Sequence, residues 1–403
     1  MKTDSLEFHP ISGVYLGSCA AKIKKNGSTD LVILELSEGS ISAATFTQNA
    51  FCAAPVTLAK NHLSVAQPRA LLINSGNANA GTGQQGMADA QQTCEWVAQE
   101  LGCRAEQVLP FSTGVIGENL PMQKFQAGIP LALSNLSVTG WQDACKGIMT
   151  TDLVPKYVSK VVDIDGHSVT ITGIAKGSGM IHPNMATMLG FVATDAKINQ
   201  ACLQQCLSDA VNLSFNRITV DGDTSTNDAC TLTATQQADM PEISSMESVA
   251  YQAFAAEINQ VMTDLAQMIV RDGEGATKFV SVIVEGGRTQ DECLKVAHAV
   301  ALSPLVKTAL FASDPNWGRI LAAVGRSGVE SLDVNALKIY LGDVCIVENG
   351  GRASSYTEEA GQAVMNQTDI DIVIQLNRGS ASETVWTTDF SYDYVKINAE
   401  YRS

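Results

Sequence analysis

A chain of 403 residues, 45% of them hydrophobic, can bury a sizeable core, and its length predicts two or three domains. Its 26 basic and 42 acidic side chains leave a net charge of -16, which argues against a surface for nucleic acid. The apolar stretches are short and interrupted, below the roughly 18 residues a membrane span needs, and MKTDSLEFHPISG carries acids and His9 where a signal peptide carries an apolar core, so a soluble cytoplasmic protein is expected.

In chain order, LVILEL at 31–36 and ALLINSG at 70–76 read as strands, and helices are predicted at 87–101 and near 142–149. The segment 161–179 reads as a hairpin, because Asp165-Gly166 is a turn signal between two alternating runs. Residues 188–192 form a short apolar strand. Helical spacing then governs 197–215 and 248–270, the latter with Phe254, Ile258, Val261, Leu265, Met268 and Ile269 on one stripe. A strand at 279–284, a helix from Thr289, a loop at 314–319 and strands at 337–347, 370–376 and 384–397 complete the pattern. Between 370 and 376 polar and apolar residues alternate, as in a sheet with one covered face. Mixed helices and antiparallel strands imply a layered α+β architecture.

The 10 cysteines are scattered, with no C-x-x-C pair, the pattern of reduced, mostly buried thiols. Cys202 and Cys206 share a helix face with Leu203, Leu207, Ala210 and Val211 and read as core. The five histidines do not cluster, and His182 reads as a loop residue. No metal site is indicated. Asp221 to Asp228 superficially suggests a cation loop, but Thr226 stands where the EF-hand glycine belongs and Leu232 where its bidentate glutamate belongs, so it reads as a hydrogen-bonded loop near an active site.

The Ala186-Thr187 bond carries the chemical signal. A threonine hydroxyl is a weak nucleophile unless a base sits beside it, and a threonine at a chain start has its own α-amine for that task. That amine titrates at a pKa of roughly 7.7 to 8.0, so much of it is unprotonated near neutrality. An internal threonine gains such an amine only when the preceding peptide is cut, which its own Oγ could do by attacking the Ala186 carbonyl. Lys176-Gly177-Ser178-Gly179 is a permissive turn, Pro183 extends the approach, and a strand follows. Taken alone, these local residues are also those of an ordinary Ala-Thr entering a strand. Likewise Ser112-Thr113-Gly114 could aim a hydroxyl and a backbone amide at a developing oxyanion, or be a plain turn.

The segment KGSGMIHPNMATMLGFVATDA at 176–196 resembles the cleavage and nucleophile segment of the ornithine acetyltransferase family, the ArgJ-type enzymes of arginine biosynthesis. The likeness extends through NSGNANAGTG at 74–83, STGVIGE at 112–118, IMTTD at 148–152, SFNRITVDGDTSTND at 214–228, RDGEGATKF at 271–279, DPNWGRI at 314–320 and the terminal VKINAEYRS. The resemblance implies self-cleavage between Ala186 and Thr187, Thr187 as nucleophile, and Thr113 and Gly114 as the oxyanion hole. It implies Thr150, Lys176, Thr187, Glu274, Asn398 and Ser403 as substrate contacts. Lys176 suits a substrate carboxylate and Glu274 an amine, although DGEG on its own reads as a solvated turn.

The implied fold is a helix and sheet sandwich with self-processing like that of N-terminal-nucleophile hydrolases, plus a smaller C-terminal α/β domain. The chains would be 1–186 and 187–403, the second with a core at about 187–285 and a C-terminal domain at about 286–403. The implied reaction moves the acetyl group of N2-acetylornithine to glutamate through an acetyl-Thr187 intermediate. Acetyl-CoA is expected as a second donor, with no resident cofactor, and two copies of each chain are expected to assemble. Two rivals share parts of the pattern: an N-terminal-nucleophile aminopeptidase or amidase, and a cation- or ligand-binding protein using the 221–228 acids.

Overall fold

The apolar runs read from the sequence become the central strands of the fold. The computed structural model describes residues 7–182 and 188–400. Ala186, Thr187 and Ser403, which carry the expected cleavage, the nucleophile and one substrate contact, lie outside the described residues. Among the described residues the strands fall into three sheets of mixed direction, interleaved with helices, as an α+β chain requires. The chain divides into two units, the first built from 7–177, 188–216 and 223–269, the second from 178–182, 217–222 and 270–400.

In the first unit a four-stranded sheet has the order Val14–Cys19, Leu31–Leu36, Ala70–Asn74, Val108–Ser112. Leu31–Leu36 is apolar on both faces because both are covered. Leu31, Ile33 and Leu72 pack under Cys94 and Val97 of helix Gly83–Leu101 and Phe125 and Ile129 of helix Met122–Ser134. Leu34, Ile73 and Phe111 face the second sheet, where Phe111 meets Phe191 edge to face at 5.1 Å. The helix Gly83–Leu101 starts four residues before the predicted boundary and stops at Gly102, whose φ of 65° gives the left-handed cap that ends many helices.

The second sheet, of five strands, runs Ile41–Phe46, Ala229–Ala234, Leu189–Thr194, His167–Lys176, Lys156–Ile164. Its last two strands are the predicted hairpin, with Asp165 at φ 53° and Gly166 at φ 83° as the two left-handed turn residues. Helix Gln200–Leu213 packs on Ile41–Phe46 and Ala229–Ala234, and helix Val249–Arg271 sends Val261 and Leu265 against Gly173. The first unit is therefore layered helix, sheet, sheet, helix.

The second unit holds a seven-stranded sheet in which Phe279–Gly287 lies between Asp369–Gln375 and Ala381–Thr388. Val280, Val282 and Val284 bury against Val296 and Val300 of helix Gln290–Ala301 and Ile320 and Val324 of helix Trp317–Gly325. Two predicted strands are corrected here. The run 337–347 is two strands, Lys338–Leu341 and Val344–Glu348, because Gly342 turns the chain at φ 53°. The run 384–397 is the end of strand Ala381–Thr388 followed by helix Tyr392–Ala399, which Ser391 caps by accepting from the Tyr394 amide. Among the described residues no single helix is long and apolar enough to cross a membrane.

Candidate functional site

Thr113 and Gly114 follow directly from the end of strand Val108–Ser112. The Thr113 amide donates to the Asn74 carbonyl at 2.9 Å, and Asn74 donates from Nδ2 to the Ser112 hydroxyl at 2.6 Å, so the turn is held to the neighbouring strand. Gly114 sits at φ 127°, and a Cβ there would come within 2.5 Å of the Gly76 carbonyl carbon. Only glycine allows two backbones to meet so closely. Asn227 adds a third strut, donating to the carbonyls of Ala78 at 2.6 Å and Ser112 at 2.9 Å.

Lys176 ends strand His167–Lys176, is buried, and donates from Nζ to the Thr113 hydroxyl at 3.3 Å. Asp152 organises what lies beside it. Its carboxylate takes the Thr150 amide at 2.9 Å, the Gly177 amide at 2.8 Å and the Lys156 ammonium at 2.6 Å. Burial by itself would raise its pKa, but the charges of Lys176 and Lys156 and these hydrogen bonds outweigh burial and hold the pKa at about 2. Thr113 and Lys176 also line a small cavity with Met188, Leu189, Ser225, Asn227 and Asp228.

In the second unit, Glu274 is buried at 7% exposure, and its carboxylate accepts from Asn398 Nδ2 at 2.8 Å. The backbone closes round it. The Glu274 amide donates to the Ser178 carbonyl at 2.9 Å, and a Cβ on Gly179 would fall 2.4 Å from the Glu274 carboxyl. Gly275, at φ 68°, lets the loop touch the Tyr394 amide at the start of the C-terminal helix. Asp221 secures the 180–181 backbone, accepting from the amides of Met180 at 2.6 Å and Ile181 at 2.9 Å.

Of the residues expected from the sequence, Thr113, Gly114, Thr150 and Lys176 fall in the first unit, with Lys176 bonded to Thr113 and Asp152 linking Thr150 to the chain after Lys176. Glu274 and Asn398 fall in the second and are bonded to each other. Ala186, Thr187 and Ser403 lie outside the described residues. The sequence assigns Asp152 no individual role, and reads Asn227 and Asp228 only as part of a hydrogen-bonded loop near the active site. For Asp152 a signal existed, the oppositely charged Lys156 four positions on. Asn227 and Asp228 gave none beyond their place in the STND run.

An ArgJ family model matches residues 15–403. The chain is 57% identical over 395 residues to an arginine biosynthesis bifunctional protein ArgJ of Pseudomonas syringae pv. tomato, covering 98% of this chain and 97% of that protein. It is 56% identical over 394 residues to its counterpart from Methylococcus capsulatus, covering 98% and 96%. A crystal structure of an arginine biosynthesis bifunctional protein from Bacillus halodurans matches with a TM-score of 0.50 at 38% identity, over 52% of this chain and 97% of that one.

Proposed function

This chain belongs to the ArgJ family, and from that membership we infer that it is a bifunctional acetyltransferase of arginine biosynthesis, moving the acetyl group of N2-acetylornithine to glutamate through an ester on Thr187. The observation that carries the reading is 57% identity over 98% of the chain to an arginine biosynthesis bifunctional protein. In the first half-reaction the Thr187 hydroxyl attacks the acetyl carbonyl while its proton passes to the Thr187 α-amine. The carbon-nitrogen bond then breaks, and the same proton leaves with the ornithine nitrogen. In the second, the glutamate amine attacks the ester and gives a proton to the Thr187 α-amine, the ester bond to Oγ breaks as that proton passes to Oγ, and N-acetylglutamate departs. Acetyl-CoA serves as an alternative donor, its thiol taking ornithine's place as leaving group, and acts as a co-substrate.

Thr113 and Gly114 are the oxyanion donors in this scheme. The Lys176 ammonium is donor only, so in its bond to Thr113 the hydroxyl oxygen accepts and the hydroxyl hydrogen stays available for an oxyanion. Thr150, Lys176, Glu274, Asn398 and Ser403 are assigned to the substrate, Lys176 to its carboxylate and Glu274 to its free amine. The same Thr187 hydroxyl cuts the Ala186-Thr187 bond first, giving chains 1–186 and 187–403, two of each to the assembly, in the cytoplasm. Support for cutting comes from the Bacillus halodurans chain, which is about half as long as this one although 97% of it is matched.

Product analysis tests the reaction. With N2-acetylornithine as donor, ornithine release should require glutamate and be matched by N-acetylglutamate. Release of acetate at the same rate without glutamate would make the protein a hydrolase instead.

A further inference from the structure

Asp228 is the last residue of the STND run and immediately precedes strand Ala229–Ala234, which lies parallel to Leu189–Thr194 with Ala229 opposite Leu189. That register brings residue 228 level with Met188, and both backbone groups of Met188 are taken. Its amide donates to Asp228 Oδ1 at 2.9 Å, and its carbonyl accepts from the Ala229 amide at 3.3 Å. Asp228 is itself immobilised from behind. The Thr47 amide donates to the Asp228 carbonyl at 2.9 Å, and the Thr47 hydroxyl donates to the Ser225 carbonyl at 2.8 Å.

The second carboxyl oxygen, Oδ2, is buried and has no hydrogen-bond partner among the described residues. The cavity that Asp228 lines with Thr113 and Lys176 encloses about 10 Å³ for the centre of a water-sized sphere, which is room for one water at most. A buried polar oxygen costs free energy unless it is bonded, and a buried charge costs far more. We propose that Asp228 is a positioning residue for the acetyl-transfer chemistry: it clamps the Met188 amide, the first amide after Thr187, in the small cavity that Thr113 and Lys176 also line.

Its part in the clamp is a hydrogen bond, accepted at Oδ1 from the Met188 amide. Burial pushes its carboxyl well above the usual carboxylate range, against the opposing pull of the Met188 amide, of the Lys176 charge and of the Ser225 hydroxyl beside it. A neutral carboxyl accepts at Oδ1 and donates at Oδ2, so it can hold Met188 and supply a hydrogen bond to the cavity together. Met188 follows Thr187 in the chain, so the clamp acts on the residue next to the proposed nucleophile. The inference rests on Thr187 being the acetylated residue.

The test compares full-length wild type with Asp228→Asn and Asp228→Leu, reading self-cleavage by intact mass and kcat and KM for N2-acetylornithine on the folded, cleaved protein. Asparagine keeps the acceptor and a donor, whereas leucine keeps the volume and neither. Asp228→Leu should cleave slowly and lose about 10²-fold in kcat, the scale of a misplaced reacting group, with KM changed less than about threefold. Asp228→Asn should recover kcat to within about tenfold of wild type. Undiminished kcat in Asp228→Leu, a loss confined to KM, or Asp228→Asn as impaired as Asp228→Leu would each overturn the clamp. If leucine abolishes folding, Asp228→Ala replaces it, and loss of folding in both assigns Asp228 to stability and also overturns the proposal. A wild type that turns over without acetylation of Thr187 removes both readings. A wild type acetylated there, with Asp228→Leu at full rate, removes this one alone.

Discussion

The Lys176 ammonium reaches the Thr113 hydroxyl across 3.3 Å, both side chains being buried. This makes Thr113 an acceptor toward Lys176 and leaves its single hydrogen free to donate, as the proposed oxyanion role requires. Thr113→Ala should therefore lower kcat by about 10² to 10³, the usual loss for one oxyanion donor, with KM for N2-acetylornithine little changed. Thr113→Ser should retain most of the rate. A Thr113→Ala enzyme with normal kcat and raised KM would move Thr113 from catalysis to binding.

Asp152 bonds the amides of Thr150 and Gly177 while paired with Lys156 at 2.6 Å. Removing one member of a buried pair typically costs about 3 to 5 kcal/mol, so Asp152→Asn should unfold at lower denaturant and raise KM, because Thr150 and the chain after Lys176 lose their common anchor. The folded pKa of about 2 is below the ordinary carboxylate value. Its stabilisation is thus fully present above that ordinary value, roughly 3.9, and is lost as pH falls from there toward 2. A variant with wild-type denaturation between pH 2 and 4 would contradict this.

Lys307 is wholly buried, donating to the Thr387 hydroxyl at 2.9 Å and to the Thr388 carbonyl. Burial lowers its pKa to about 7, although the charges of Asp389 and Asp221 oppose the shift. An unfolded lysine holds its proton up to roughly pH 10.4. Between these values the unfolded chain binds more protons, so this group costs stability below pH 7 and the cost fades as pH rises toward 10. Lys307→Met should flatten the rise in unfolding free energy between pH 7 and 10. An identical slope in variant and wild type would contradict the assignment.

The C-terminal helix Tyr392–Ala399 brings Asn398 to Glu274. Asn398→Ala should raise KM for N2-acetylornithine about tenfold, as loss of a hydrogen bond to a charged group does, without altering self-cleavage. Deleting residues 401–403 leaves that helix in place and should raise KM as well. Unchanged kinetics in the deleted, folded protein would remove Ser403 from the site.

How far the chain was legible depended on how local each signal was. The Asp165-Gly166 hairpin and the long helix were readable because one turn and one periodicity specify each. The C-terminal helix was misread as strand because WTTDFSYDYVKI is aromatic and β-branched. What breaks that run is Asp389, whose carboxylate takes the amides of Thr277 and Lys278 from more than a hundred residues away. The site divides the same way. Thr113, Lys176 and Glu274 take roles that their motifs imply, whereas Asp152, Asn227 and Asp228, which also lie in such motifs, act through bonds to segments that only the fold brings near.

The most direct test of the central claim is the intact mass of the protein after mixing with N2-acetylornithine in the absence of glutamate and quenching in acid. The account requires two chains, the second beginning TMLGF and heavier by one acetyl group located on Thr187, with that mass lost when glutamate is added. Full turnover by an uncut chain, or an acetyl group carried on any residue other than Thr187, would contradict it.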